Sequence, residues 1–211
     1  MSEGVGPDGG GDRRDPEELP AEIREAVPDY DDEYLDRVSD RLMYSYDLDR
    51  DIVVHGERFE FAGTMRMRNQ KQFFHPALSY ADHDVMEHLF ARRVAGPTVG
   101  ELERLVDLGH AVADERITPN EEHYGTDITF VLVADRISEE VAAFVDGFRD
   151  RTLLKFGYYG RYEMNLIVVA PDREVIVDSE AAGVTDAFRM WEAVEKPDEG
   201  LFSRFARRFW R

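Results

Sequence analysis

The densest group of chemically capable side chains is Asp82-His83-Asp84-Val85-Met86-Glu87-His88. Read as a helix capped by Asp82, it places His83 and Glu87 four apart on one face, and Asp84 and His88 likewise. That spacing can hold a divalent metal. It is neither zinc-protease motif: His-Glu-x-x-His is absent, and the inverted form needs His and Glu three apart. The competing reading is an acidic first helical turn, favoured by the helix dipole, with solvated histidines. On that reading no metal or cofactor is expected, and His83 and Glu87 are the residues that would hold one.

A second group, Glu121-Glu122-His123-Tyr124 with Asp127 three further on, precedes an apolar run. Loops at strand ends carry ligand groups, and a histidine beside carboxylates can act as a general base. Glu122, His123 and Asp127, with Glu163, are therefore the catalytic candidates, against a plain polar turn. A third group, 156–163, sets three tyrosines and an arginine around Gly157 and Gly160. The aromatics can wall a pocket or pin strand register. Lys155, Tyr158, Tyr159 and Arg161 are the ligand-binding candidates.

Other patterns fail. Gly4-x-Gly6-x-x-Gly9 has no strand before it and no helix after it, so it is no dinucleotide loop. Pro171-Asp172 has no downstream acid-x-Lys, which removes a nuclease of that type. Arg66, Arg68, Gln70 and Gln72 share one strand face, but phosphate binding depends on counterion release and weakens steeply with salt. A solvated sheet face is the default there, and nucleic acid is not an expected partner.

Periodicity supplies the elements that position these groups. Leu35, Val38 and Leu42 stripe a helix after Asp31-Asp32. Residues 52–61 and 65–74 alternate as two strands with Gly63 as their turn. The 82–90 helix follows, and then Thr98-x-x-Glu101, a capping box, opens another with Leu102, Leu105, Val106 and Val112 on one face. Residues 127–134 read as a strand covered on both faces. Ser138 caps a helix with Val141, Phe144, Val145 and Phe148, and 152–156 returns as a strand to complete a β-α-β unit. Residues 161–170 and 174–177 form an antiparallel hairpin turning at Pro171-Asp172. Val184, Ala187, Phe188 and Trp191 stripe a last helix. The expected fold is α+β, one domain over 30–195 with a mixed sheet. A disordered acidic extension occupies 1–29, and a linker 196–200.

Charge sets the background. The chain has 211 residues and a net charge of −19, with 45 Asp and Glu against 23 Arg and only three Lys (Lys71, Lys155, Lys196). Abundant acids with little lysine suit a halophilic, cytoplasmic protein kept in solution by hydrated carboxylates. There is no cysteine, which excludes disulfides, thiol nucleophiles and cysteine-ligated metals. No apolar run approaches the roughly 18 residues of a membrane span.

Against that background stands Leu-Phe-Ser-Arg-Phe-Ala-Arg-Arg-Phe-Trp-Arg at 201–211. On a helical wheel, Leu201, Phe202, Phe205, Ala206, Phe209 and Trp210 fill an arc from about 0° to about 180°. Arg204, Arg207, Arg208 and Arg211 lie between about 240° and about 340°. This is the pattern of an interfacial helix, or of one seated in a protein groove. Phe202, Arg204, Phe205, Arg208, Phe209 and Trp210 are the expected docking residues; packing on the protein's own domain is the competing outcome. Membrane surface ahead of protein groove is the expected partner, at the inner membrane face.

The run from Glu122-His123 through 127–134 to Leu154-Lys155-Phe156-Gly157-Tyr158-Tyr159-Gly160-Arg161-Tyr162-Glu163 resembles an uncharacterised family of haloarchaeal proteins, a domain of unknown function, over 35–190. The resemblance implies no activity and no site residues. Two functions follow from the residues themselves. The first is a non-enzymatic module docking reversibly through its C-terminal helix. The alternative is a small hydrolase or ligand-binding enzyme using the 121–127 loop and the Tyr158 to Glu163 region.

Overall fold

A computed structural model describes residues 28–70, 82–179 and 182–192. The expected extension up to residue 27, the linker and the 201–211 helix lie outside these residues. The described chain is α+β, a mixed seven-stranded sheet with helices on both faces.

The chain opens with α1 (Glu33–Leu42), β1 (Asp47–Val54) and β2 (Glu57–Gln70). Asp32 caps α1, its carboxylate accepting from the amides of Tyr34 and Leu35 while it also pairs with Arg93. Burial pulls this carboxyl upward, but those partners together hold it below the usual range. The β1–β2 hairpin turns at His55-Gly56, both in the left-handed region (φ 47° and 87°) that a two-residue type I′ turn requires. Gly63, expected as the turn, lies inside β2, where Tyr46 and Leu48 pack against its backbone.

The expected helix over 82–90 is a strand, β3 (Asp82–Val94), antiparallel to β2 and parallel to β4 (His123–Ala134). Helix α2 (Val99–Arg116) crosses between β3 and β4, with the Thr98 hydroxyl accepting from Glu101 as the capping box predicts. The segment resembles a helix in sequence for a physical reason. Val85 and Leu89 belong to one face of β3, Phe90 to the other, and both faces are covered. Apolar residues at 85, 86, 89 and 90 therefore mimic a helical stripe although the period is two.

After β4 come α3 (Glu139–Gly147), β5 (Asp150–Leu153), β6 (Arg161–Ala170), β7 (Val175–Asp178) and α4 (Thr185–Phe188). β4 and β6 are parallel neighbours, so the second crossover runs through α3 to β6. β5, expected as the returning parallel strand, is a four-residue edge strand antiparallel to β6. The β6–β7 hairpin turns at Pro171–Arg173 as expected. Strand order is β1-β2-β3-β4-β6-β5, with β7 also on β6.

Alternation sorts the core into two layers. Phe59, Phe90, Phe130, Leu132, Leu166 and Val168 meet α2 and α3. Phe61, Leu89, Val131, Val133, Ile167 and Val169 meet α1 and α4. Among the described residues no helix is long and apolar enough to cross a membrane.

Candidate functional site

The parallel strands β3, β4 and β6 each place an acid just ahead of an apolar run, and pairing brings the three acids level. Glu87 is opposite Asp127, and Asp127 is opposite Glu163; Met65 and Arg151 extend the row at either side. All three carboxylates are buried. Neighbouring strands lie only about 4.8 Å apart, and like charges placed opposite repel. Neutralising partners are therefore required.

Glu87 meets two hydroxyls and Glu163 two arginines on the same face. Tyr46 donates its hydroxyl to Glu87 Oε2 at 2.7 Å, and Thr129 donates to Oε1 at 2.9 Å. Burial, and then the Glu87 charge, raise the Tyr46 phenol well above its usual value, so it remains a proton donor. Arg151 reaches both oxygens of Glu163 at 3.1 and 3.2 Å, and Arg161 Nε lies 3.6 Å from Oε2. Asn165, opposite Thr129, continues the polar patch one pair further along the strands.

The other face of the same sheet end carries histidines. His123 Nδ1 lies 2.7 Å from the Tyr159 carbonyl, which can only accept, so the ring proton sits on Nδ1. Nε2 then accepts from the Thr126 hydroxyl at 2.9 Å. Both ring nitrogens are thus engaged, and the Nδ1 contact staples the 154–160 loop to β4. His110 bridges Tyr162 and Asp150, at 3.1 Å to each. His88 is buried between Thr64 and Arg116.

His123→Ala would leave the Tyr159 carbonyl and the Thr126 hydroxyl without this partner. It is expected to cost about 1–3 kcal/mol, read from urea unfolding, with faster amide exchange at 154–160.

The stapled loop itself is unusual. Lys155 and Phe156 hold φ of 47° and 59°, followed by Gly157 at 90°. For residues with a β-carbon this conformation costs roughly 1–2 kcal/mol each. The strain presents Phe156, 96% exposed, and Tyr158, 85% exposed, to solvent, with Leu153 60% exposed beside them. Gly160 closes the loop at φ 75°, its backbone against the Tyr124 carbonyl.

The nominated residues now have places. Asp127, Glu163 and Glu87 meet; His123 and Tyr159 meet through the latter's carbonyl; Arg161 faces Glu163. Glu121 and Glu122 are exposed on the turn before β4, and Lys155 and Tyr158 point to solvent. His83 and Glu87 lie four positions apart on strand β3, about 13 Å, so the shared helical turn assumed for a metal pair does not exist. Asp84 pairs with Arg66 at 2.5 Å. Among the described residues no group of three or more His, Asp or Glu side chains is arranged to hold a metal. Phe202, Arg204, Phe205, Arg208, Phe209 and Trp210 lie outside the described residues.

Tyr46, Thr129, Asn165, Arg151 and Thr126 escape a sequence reading. One signal does exist: Asp127-Ile128-Thr129 and Glu163-Met164-Asn165 each alternate polar and apolar just before a run of branched residues. That repetition marks equivalent positions on two neighbouring strands.

No curated protein and no solved structure matches the chain. One family model does, over residues 30–190, and its description is Domain of unknown function (DUF8052).

Proposed function

The chain belongs to this family of unknown function, and we propose that it is a non-enzymatic module docking reversibly on a membrane surface through residues 201–211. The observation carrying this reading is the division of that segment into an apolar aromatic face and an arginine face. Leu201, Phe202, Phe205, Phe209 and Trp210 gain roughly 1.5–3 kcal/mol each on full burial. Ordering the backbone costs about 1–2 kcal/mol per residue. The near-balance makes the attachment reversible. The acid surplus and scarcity of lysine fit a halophilic, cytoplasmic chain that meets the inner membrane face, where arginines act by contact with lipid phosphates.

The geometry of the folded domain adds weight to the non-enzymatic side. His123 has both ring nitrogens engaged, and Glu87 and Glu163 are held by hydroxyl and guanidinium partners. These groups do the work of fastening the sheet end. The alternative, a hydrolase or ligand-binding enzyme, draws its support from the level row of buried carboxylates. A small molecule retained by the purified full chain and lost in Asp127→Asn would favour it.

Fractionating lysate with and without residues 201–211 tests the main reading. The full chain is expected partly with membranes and the shortened chain in the supernatant. An unchanged distribution would sink it, and loss of a protein partner alone would point to a groove.

A further inference from the structure

The 153–158 loop is an ordered aromatic projection, held by its own hydrogen bonds. Leu154 N–H donates to the Gly160 carbonyl at 3.0 Å, Tyr159 N–H to Leu154 at 3.2 Å and Tyr158 N–H to Lys155 at 3.2 Å. His123 fastens the returning strand. Two successive non-glycine residues are kept in the left-handed region to place Phe156 almost wholly in water. Such strain persists only where the surrounding structure enforces it, and it clusters at sites that bind or switch.

What surrounds the aromatics selects the partner. Leu153, Phe156 and Tyr158 are exposed together with Arg149, Arg151 and Lys155, within a chain of net charge −19. Apolar side chains beside cations and a tyrosine match the acyl boundary and phosphate layer of a bilayer surface. The surface combines residue types also found at 201–211.

We propose that the 153–158 loop is a second, rigid lipid-contacting element, inserting Phe156 and Tyr158 while Arg149 and Lys155 meet lipid phosphates. It rests on the membrane reading above and deepens it. Eight residues separate Glu192 from Leu201, enough to span about 28 Å. A compact domain of this size has a radius of gyration of about 15 Å, so loop and C-terminal segment can engage one surface. Two linked contacts then strengthen each other without new interactions.

The test is co-sedimentation of the full-length protein with phosphatidylglycerol–phosphatidylcholine vesicles. Phe156→Asn with Tyr158→Ser alters the loop, asparagine being tolerant of the left-handed region. Phe205→Ser with Phe209→Ser alters the C-terminal segment, and a fourth protein carries both pairs. The loop pair is expected to lower partitioning roughly tenfold in either background, with the folded circular-dichroism spectrum retained. Partitioning within about twofold of the parent in both backgrounds overturns the inference. If the C-terminal pair alone has no effect, the reading above fails while the loop result still stands or falls by itself. A dimer that the loop pair converts to monomer without lipid, at unchanged partitioning, would assign the loop to contact between copies and overturn the lipid proposal.

Discussion

Gly160→Ala is expected to lower stability by about 4 kcal/mol or more, among the largest effects a single methyl group can have. A β-carbon there would stand 2.2 Å from the Tyr124 carbonyl oxygen, 2.6 Å from its carbon and 2.8 Å from the His123 oxygen. All three are backbone atoms of β4, so no rotamer change relieves the contact. Only moving β4 away from β6 would, and those strands carry the carboxylate row. The φ of 75° adds its own penalty of roughly 1–2 kcal/mol. Gly157 is the control. Its φ is 90°, but nothing lies within 4 Å of its would-be β-carbon, so Gly157→Ala should cost only the conformational penalty of about 1–2 kcal/mol. Urea unfolding of the two variants reads the difference directly, and equal losses would contradict the close approach of loop and strand.

The second large effect is acid destabilisation through His88. Burial, and then the Arg116 charge, lower its pKa from 6.5 to about 4. Thr64 Oγ1 and Arg116 Nη1 lie 3.4 Å from Nδ1, and the ring stacks on Phe90. Between these two values the unfolded chain binds a proton that the folded chain refuses. The contribution is therefore present above the unfolded value and is lost as pH falls toward 4. The loss reaches about 2 kcal/mol by about pH 5 and roughly 3 kcal/mol when complete. Carboxylates also titrate in acid, so the diagnostic quantity is the difference between the parent and His88→Leu from neutrality to about pH 5. The variant should show a flatter profile. Parallel profiles would mean that His88 is charged in the folded protein.

These two sites illustrate what could be read in advance. The caps at Thr98 and Ser138, the acidic helix start at Asp31-Asp32 and the apolar runs of β4 and β6 are legible, because capping chemistry and fully covered strands have local signatures. β3 is not, because a strand buried on both faces loses the alternation that distinguishes it from a helix. Hence His83 and Glu87 looked like helical neighbours. The hairpin at His55-Gly56 is less legible than a turn at Gly63 because it lacks the Asn-Gly or Asp-Gly pair that marks a type I′ turn. At the site, Glu87, Asp127 and Glu163 each stood out, but in three separate clusters. Their common row depends on cross-strand register: the matching patterns of 127–129 and 163–165 hint at it for β4 and β6, but Glu87 sits in a segment that reads as a helix. The exposure of Phe156 was likewise invisible, since a phenylalanine among tyrosines reads first as packing.

The docking claim itself is tested most directly by tryptophan fluorescence. The chain has two tryptophans, Trp191 and Trp210, so Trp191→Phe leaves Trp210 as the sole reporter on the C-terminal segment. Titration with phosphatidylglycerol vesicles is expected to give a saturable blue shift from a solvent-exposed starting spectrum, with most of the shift surviving about 1 M salt because apolar insertion outlasts screening. A spectrum already blue-shifted without vesicles and unchanged by them would place the segment on the protein's own domain and contradict the docking claim.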